Sequence, residues 1–136
     1  MSKPINLQGI SPLFQVFDMP TSLKFYRDVL GFEITQSSGE GDDVDWVLLK
    51  LNGIEVMLNT AYEKAMRPAS PDLIQRAAHQ DTTLYFGCPD VDEAYRLLVN
   101  KGIDLKKPTI TGYGWKAIEL TDPDGYAICI HWPMNS

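Results

Sequence analysis

Cys129 and His131 stand two residues apart at the end of the stretch Trp115 to His131, which reads Trp-Lys-Ala-Ile-Glu-Leu-Thr-Asp-Pro-Asp-Gly-Tyr-Ala-Ile-Cys-Ile-His. A thiol near an imidazole is half a metal site, or a nucleophile with its base. Two residues along one strand separate them by about 6 to 7 Å, too far for direct activation. Trp46 and Trp115 offer flat faces on which planar or cationic groups stack; the plainer reading is that they fill a concavity or a dimer interface. Glu55 and Glu119 can neutralise a cationic ligand, or one can act as a general base if burial raises its pKa. As solvated strand-end residues they do neither, and Lys50 is placed to pair with one of them. His131, near the C-terminus, also reads as a sheet-edge residue, and His79 as an exposed residue of a connecting segment. Cys88 reads as a packing residue, while Tyr62, Arg67 and Tyr113 fall in loops that could rim a cleft.

The elements that must position these groups follow from alternation and punctuation. Asp122-Pro123-Asp124-Gly125 is a tight turn, because Pro123 presets φ and Gly125 accepts a positive one. The flanking runs make a β-hairpin. Ile118, Leu120, Ile128 and Ile130 face its core side, and Trp115, Ala117, Glu119, Ala127, Cys129 and His131 face the other. Earlier, Leu13 to Phe17 reads as a strand, and Asp18 caps a helix whose stripe is Leu23, Tyr26, Val29 and Leu30, stopped by Gly31. Phe32 to Gln36 reads as a strand and Ser37 to Asp43 as a loop. Trp46 to Leu51 and Ile54 to Leu58 flank Asn52-Gly53, the strongest short hairpin signal. Ala61 to Gln80, broken by Pro68 and Pro71, reads as a connector with a helical turn or two over Asp72 to Ala78.

The pattern then begins again. Thr83 to Cys88 reads as a strand, and Asp90 with Glu93 resembles a capping box opening a helix with stripe Val91, Ala94, Leu97 and Leu98. Ile103 to Leu105 is a short strand candidate, and Pro108 to Gly114 a loop. Asp18 and Asp90 stand 72 residues apart (90 − 18), as do Gly53 and Gly125. Trp46 and Trp115 fall before their turns at a spacing of 69 (115 − 46), because the second turn is longer. The chain therefore reads as a single α+β domain, 1–136. It holds two tandem βαβββ modules, at about 8–60 and 81–133, joined by a connector at 61–80. Phe14, Val16, Val56, Leu58, Leu84, Phe86, Ile128 and Ile130 pack on the helices. The uncovered faces curve around a cleft lined by residues that include Trp46, Glu55, Met57, Tyr85, Trp115, Glu119, Cys129 and His131.

Composition bounds the rest. The 136 residues are 44% hydrophobic and 22% charged, an ordinary globular balance. No run approaches the roughly 20 apolar residues of a membrane span, and Met-Ser-Lys-Pro-Ile-Asn lacks the apolar stretch of a secretory signal. Two cysteines in no metal-type spacing point to a reducing cytoplasm. A net charge of −6 argues against nucleic acid as a partner and is compatible with a cationic ligand.

The run Val16-Phe17-Asp18, followed by Leu23-Lys24-Phe25-Tyr26-Arg27-Asp28-Val29-Leu30-Gly31-Phe32, resembles the first helix of the vicinal oxygen chelate superfamily. That superfamily holds glyoxalase I, the bleomycin resistance proteins, fosfomycin resistance enzymes and extradiol dioxygenases. Asp122-Pro123-Asp124-Gly125 resembles its final hairpin and Val91 to Gly102 its second helix. The resemblance implies metal ligands from the first and last strands of each module, at Ser11, Met57, Thr83 and Cys129. The enzymes place His, Gln and Glu there, because their ions need imidazole or carboxylate donors. Hydroxyls and a thioether are poor substitutes, so no divalent metal or other cofactor is expected. The resemblance further implies a homodimer, often arm-exchanged, in which modules of two chains complete each cleft. The function expected is metal-free binding or sequestration of a small aromatic or cationic molecule, of the antibiotic-resistance type. The binders resemble a Trp-Gly-Arg-Glu run before the final turn, whereas this chain has Gly114-Trp115-Lys116-Ala117, so bleomycin itself is not implied. The alternative is a glyoxalase-like metal-dependent lyase, isomerase or dioxygenase with displaced ligands at Glu55, Glu119, Cys129 and His131. A lesser one is an interaction module whose cleft its own side chains fill.

Overall fold

The structure, a computed structural model, describes residues 3–134. Its first half runs β1 (Leu13–Val16), α1 (Met19–Leu23), β2 (Glu33–Ser37), β3 (Trp46–Leu51) and β4 (Ile54–Thr60). The connecting segment holds α2 (Leu73–Ala78). The second half runs β5 (Thr83–Gly87), α3 (Val91–Asn100), β6 (Thr109–Ile110), β7 (Trp115–Thr121) and β8 (Ala127–Pro133). Each half is a four-stranded mixed sheet, ordered β1-β4-β3-β2 and β5-β8-β7-β6. The α+β architecture read from the sequence is the one observed. No helix among the described residues is long and apolar enough to cross a membrane.

The repeat is visible in the ladders. Leu13 pairs with Met57 and Phe14 with Leu58; Tyr85 pairs with Cys129 and Phe86 with Ile130, so both parallel pairs keep the 72-residue displacement (85 − 13). The hairpins do not keep it. Asn52 and Gly53 both take positive φ and close the first hairpin in two residues. In the second, the Asp122 N–H donates to the Tyr126 carbonyl at 2.9 Å across three residues. The extra residue slides β7 by one position. Trp46 pairs with Asn59, but His131, the repeat mate of Asn59, pairs with Ala117. Ala117 thus occupies the place of Trp46 at a displacement of 71 (117 − 46). Trp115 lies two pairs farther out, opposite Pro133, so the two tryptophans are not in step as their spacing suggested.

Other departures have equally local causes. The helix capped by Asp18 is α-helical only to Leu23; over Lys24–Val29 it widens into a π-helical turn, in which the Leu30 N–H donates to the Phe25 carbonyl. Ile103 to Leu105 is not a strand. The Ile103 N–H donates to the Leu98 carbonyl at the end of α3, and both apolar side chains plug the core instead of extending along β7. The partner of β7 forms later, within the expected loop, as the two-residue β6. Asp90 caps α3 by accepting from the Glu93 N–H, but the Glu93 side chain turns to Arg96 rather than closing a capping box.

One core serves both halves. Val47, Leu49, Val56 and Leu58 of the first sheet and Ile118, Ile128 and Ile130 of the second belong to a single buried cluster. Phe14 packs on Tyr126 (4.5 Å between centroids) and Phe32 on Phe86 (6.0 Å). Across this core the Asp122–Gly125 turn docks on the first half. Asp122 accepts from the Tyr26 hydroxyl at 2.6 Å and from its own turn's Asp124 and Tyr126 N–H groups. Asp124 accepts from the Phe17 N–H at 2.7 Å and the Ser22 hydroxyl at 3.1 Å. His79 was expected to be exposed. Instead it is half-buried, stacked on Tyr126 at 4.1 Å, and its Nδ1–H donates to the Asp124 carbonyl at 2.7 Å. At Gly125, φ is +91° and a Cβ would lie 2.3 Å from the Arg76 carbonyl oxygen, so glycine alone lets the connector close on the turn.

Replacing Asp122 with alanine strands three buried donors at about 1–3 kcal/mol each. Urea denaturation of Asp122→Ala is expected to show a loss of more than about 3 kcal/mol. Burial raises the carboxyl pKa of both Asp122 and Asp124 above 3.8. The folded chain therefore binds these protons more tightly than the unfolded chain, and their contribution to stability falls as pH rises from 3.8 through the raised values. Asp124→Asn does not titrate, so its deficit relative to the parent is expected to be larger near about pH 4 than near about pH 7.

Candidate functional site

Because each sheet turns one face into the shared core, its other face is left for function. On the first sheet that face carries Trp46, Glu55 and Met57, all partly buried. Trp46 lies opposite Asn59, and Met57 between Leu13 and Leu48. Glu55 pairs with Lys50 at 3.2 Å, the ion pair anticipated from their types. Trp46 has no ring partner among the described residues.

The second sheet's open face is aromatic. Tyr85 on β5 pairs with Cys129 on β8, Cys129 with Glu119 on β7, and His131 with Ala117. The small Ala117 leaves room over which the His131 ring meets Trp115 at 4.3 Å and Tyr85 at 4.9 Å. Tyr113 extends the row beyond Trp115 at 6.5 Å. Four rings, Tyr85, His131, Trp115 and Tyr113, therefore lie in sequence across three strands and the loop before β7. Tyr85 and Tyr113 are 58% and 64% exposed, so the row is open at both ends. His131 is not at a sheet edge: β8 runs between β5 and β7. Its Nδ1 is buried and has no hydrogen-bond partner among the described residues. A buried ring nitrogen left without a partner costs stability.

The predicted site residues thus fall into two groups. Tyr85, Trp115, Glu119, Cys129 and His131 come together on the second sheet, while Trp46, Glu55 and Met57 come together on the first. Glu55 and Tyr85 border one groove beside residues 8–12. No ring contact or ion pair among the described residues joins Trp46 or Met57 to Trp115, Glu119, Cys129 or His131. Trp46 and Trp115 lie on the open faces of different sheets. Tyr113, read from the sequence as a loop residue that could rim a cleft, does extend the ring row at its outer end. It reaches Trp115 across a tight turn, in which the Gly114 N–H donates to the Thr111 carbonyl and Gly114 takes a φ of +87°, and alternation does not carry across such a turn. Arg67 and Tyr62 do not rim this face: Arg67 pairs with Asp18 at 2.8 Å over the Phe17 ring, and Tyr62 meets Phe17 edge-on.

The positions that correspond to metal ligands do not fit an ion. Ser11, just before β1, and Met57 on β4 offer a hydroxyl and a thioether, and Thr83 on β5 and Cys129 on β8 a hydroxyl and a thiol. The Cys129 thiol is buried, and burial first, then the Glu119 carboxylate, raise its pKa; a metal takes the thiolate. Among the described residues no three His, Cys, Asp or Glu side chains are grouped as an ion would need, and the displaced set is split by Glu55 on the first sheet.

Three comparisons with known proteins bear on this site. A family model described as Glyoxalase/Bleomycin resistance protein/Dioxygenase superfamily matches residues 10–130. No curated protein matches the sequence. Among solved structures, TnmS3, an antibiotic-binding protein from Streptomyces sp. CB03234, superposes with TM-score 0.66 at 20% identity, over 96% of this chain and 100% of its own. A bleomycin-binding protein complexed with bleomycin gives 0.67 at 18%, over 94% and 100%. A protein of unknown function from Agrobacterium tumefaciens str. C58 gives 0.65 at 27%, over 95% and 98%. The first two share the fold with this chain at identities that carry no more than the fold.

The two thiols separate by environment. Cys88 is partly exposed and Cys129 is buried with a raised pKa, so iodoacetamide at neutral pH is expected to alkylate Cys88 at least about tenfold faster. Peptide mass spectrometry over time reads both rates, and equal rates would contradict the burial assigned to Cys129.

Proposed function

We infer the function from one premise: the chain belongs to the Glyoxalase/Bleomycin resistance protein/Dioxygenase superfamily. Within it, we propose a protein that binds and sequesters a small planar molecule, aromatic or cationic, without a metal and without transforming it. The observation that carries this reading is the ring row Tyr85–His131–Trp115–Tyr113 on the open face of the second sheet. Trp115 and the tyrosines supply π faces, and the exposed Glu119, four residues along β7 from Trp115, supplies a negative charge on the same sheet face. Antibiotic-binding and bleomycin-binding proteins with the same fold give the binding of a small molecule a precedent. The donors at Ser11, Met57, Thr83 and Cys129 favour binding over metal chemistry.

The proposal includes a second copy of the chain. One chain offers its two open faces on separate sheets that share a core. A homodimer can lay the Trp46, Glu55 and Met57 face of one protomer over the ring row of its partner, enclosing the ligand from both sides. A closed site of that kind removes planar surface from water on two faces at once, which one open sheet does not do.

A fluorescence titration with a planar aromatic cation such as proflavine tests the reading. Loss of one stacking or cation–π partner costs about 1–2 kcal/mol, so Trp115→Ala is expected to weaken binding by about tenfold or more. Trp132→Ala, on the opposite face of β8, is expected to bind like the parent. Equal affinity of Trp115→Ala and parent would contradict the site. Elemental analysis of the purified protein is expected to find no stoichiometric divalent metal. A metal whose removal by chelator abolishes binding would overturn the metal-free reading.

A further inference from the structure

On the helix side of the molecule, where the two halves meet, lies a cavity of about 230 Å³ that the proposed binding face does not use. Leu30, Phe32 and Ile54 wall it from the first half, and Phe86, Leu97 and Ile130 from the second. Leu97 and Ile54 remain 52% and 37% exposed, so the cavity opens to solvent beside them. Among its lining residues only Lys101 carries a charge. The Lys101 ammonium is not free to wander. It donates to the carbonyls of Asp28 (3.1 Å) and Val29 (2.9 Å), where the first half's helical segment ends. An ammonium has three donors, so one N–H is left over, held in place at the rim of an apolar space.

We propose that this cavity is a second ligand site, specific for a small amphiphilic carboxylate whose apolar body fills the space while its carboxylate meets Lys101. The size sets the body. An apolar cavity of about 150 Å³ takes a benzene ring, so this larger one takes a chain or ring of about eight carbons. The charge sets the head group. A carboxylate pairs with a fixed ammonium in a charge-assisted hydrogen bond, whereas a cation is repelled and a neutral head gains only an ordinary bond. The ligand would touch both halves across the core seam, so its binding would stabilise their docking.

Sodium octanoate is the probe, with 1-octanol as its neutral counterpart, each titrated into the 136-residue chain. Octanoate is expected to raise the thermal midpoint and to slow alkylation of Cys88, which lines the cavity, while leaving Cys129 on the open sheet face unaffected. Octanol is expected to bind about tenfold more weakly. Lys101→Met is expected to bring octanoate down to the affinity of octanol, and Ala94→Phe, which fills the cavity, to remove both. The comparison of the two probes in the unaltered protein needs no variant to fold. The proposal is overturned if octanoate fails to bind at millimolar concentration or binds no tighter than octanol. It is equally overturned if octanoate protects Cys129 rather than Cys88, or binds Ala94→Phe as well as the parent.

Discussion

Asp122 and Asp124 accept five hydrogen bonds from within their own turn and from the far half of the chain. Both carboxyls are buried, and burying such groups without partners is among the costliest things a fold can do. The turn is therefore tolerable only where the Tyr26 hydroxyl, the Ser22 hydroxyl and the Phe17 N–H stand in their observed places. That requirement fixes the end of β1 and the first turns of the helical segment against the β7–β8 hairpin. His79 and Arg76 close the arrangement from the connector, the first by stacking on Tyr126 and the second by backbone approach at Gly125. Two modules that could pack in many ways are thereby held in one.

That docking decides what the faces can do. With both sheets committed to a common core, the remaining faces are separate surfaces, and their contents differ. The second carries a row of rings with the His131 imidazole within it. The first carries Trp46, Met57 and a carboxylate already neutralised by Lys50. The one-residue slide of β7 makes this difference, because it puts Ala117 where the first sheet has Trp46 and so lets the His131 ring lie against Trp115. A duplicated scaffold has become asymmetric through the length of a single turn.

Much of this was legible in the sequence, for a physical reason. Strand pairing in a repeat follows from alternation and spacing, so the 72-residue displacement seen in Asp18 and Asp90 reappears in the pairs Leu13–Met57 and Tyr85–Cys129. What stayed hidden depended on contacts between distant residues. Asp122-Pro123-Asp124-Gly125 has the composition of any solvated turn, and nothing local says that Tyr26 will meet its first carboxylate. His79 looks like a surface residue until Tyr126 arrives beneath it. Ile103 and Leu105 look like a strand because alternation does not distinguish an extended ladder from two side chains dropped into a core. The second turn reads as longer than the first, but the spacing of the tryptophans overstates its effect: the one extra residue moves β7 by a single position, to Ala117 and not to Trp115.

The three tryptophans report on three surfaces: Trp46 on the open face of the first sheet, Trp115 within the ring row, and Trp132 on the other side of β8 against Gly87. Their indole N–H resonances in a ¹H–¹⁵N spectrum, followed while a planar aromatic cation is added, test the central claim directly. The account predicts that the Trp115 signal shifts and saturates, that Trp46 shifts with it as the partner's face closes, and that Trp132 stays where it was. A shift confined to Trp132, or no shift at all, would contradict it.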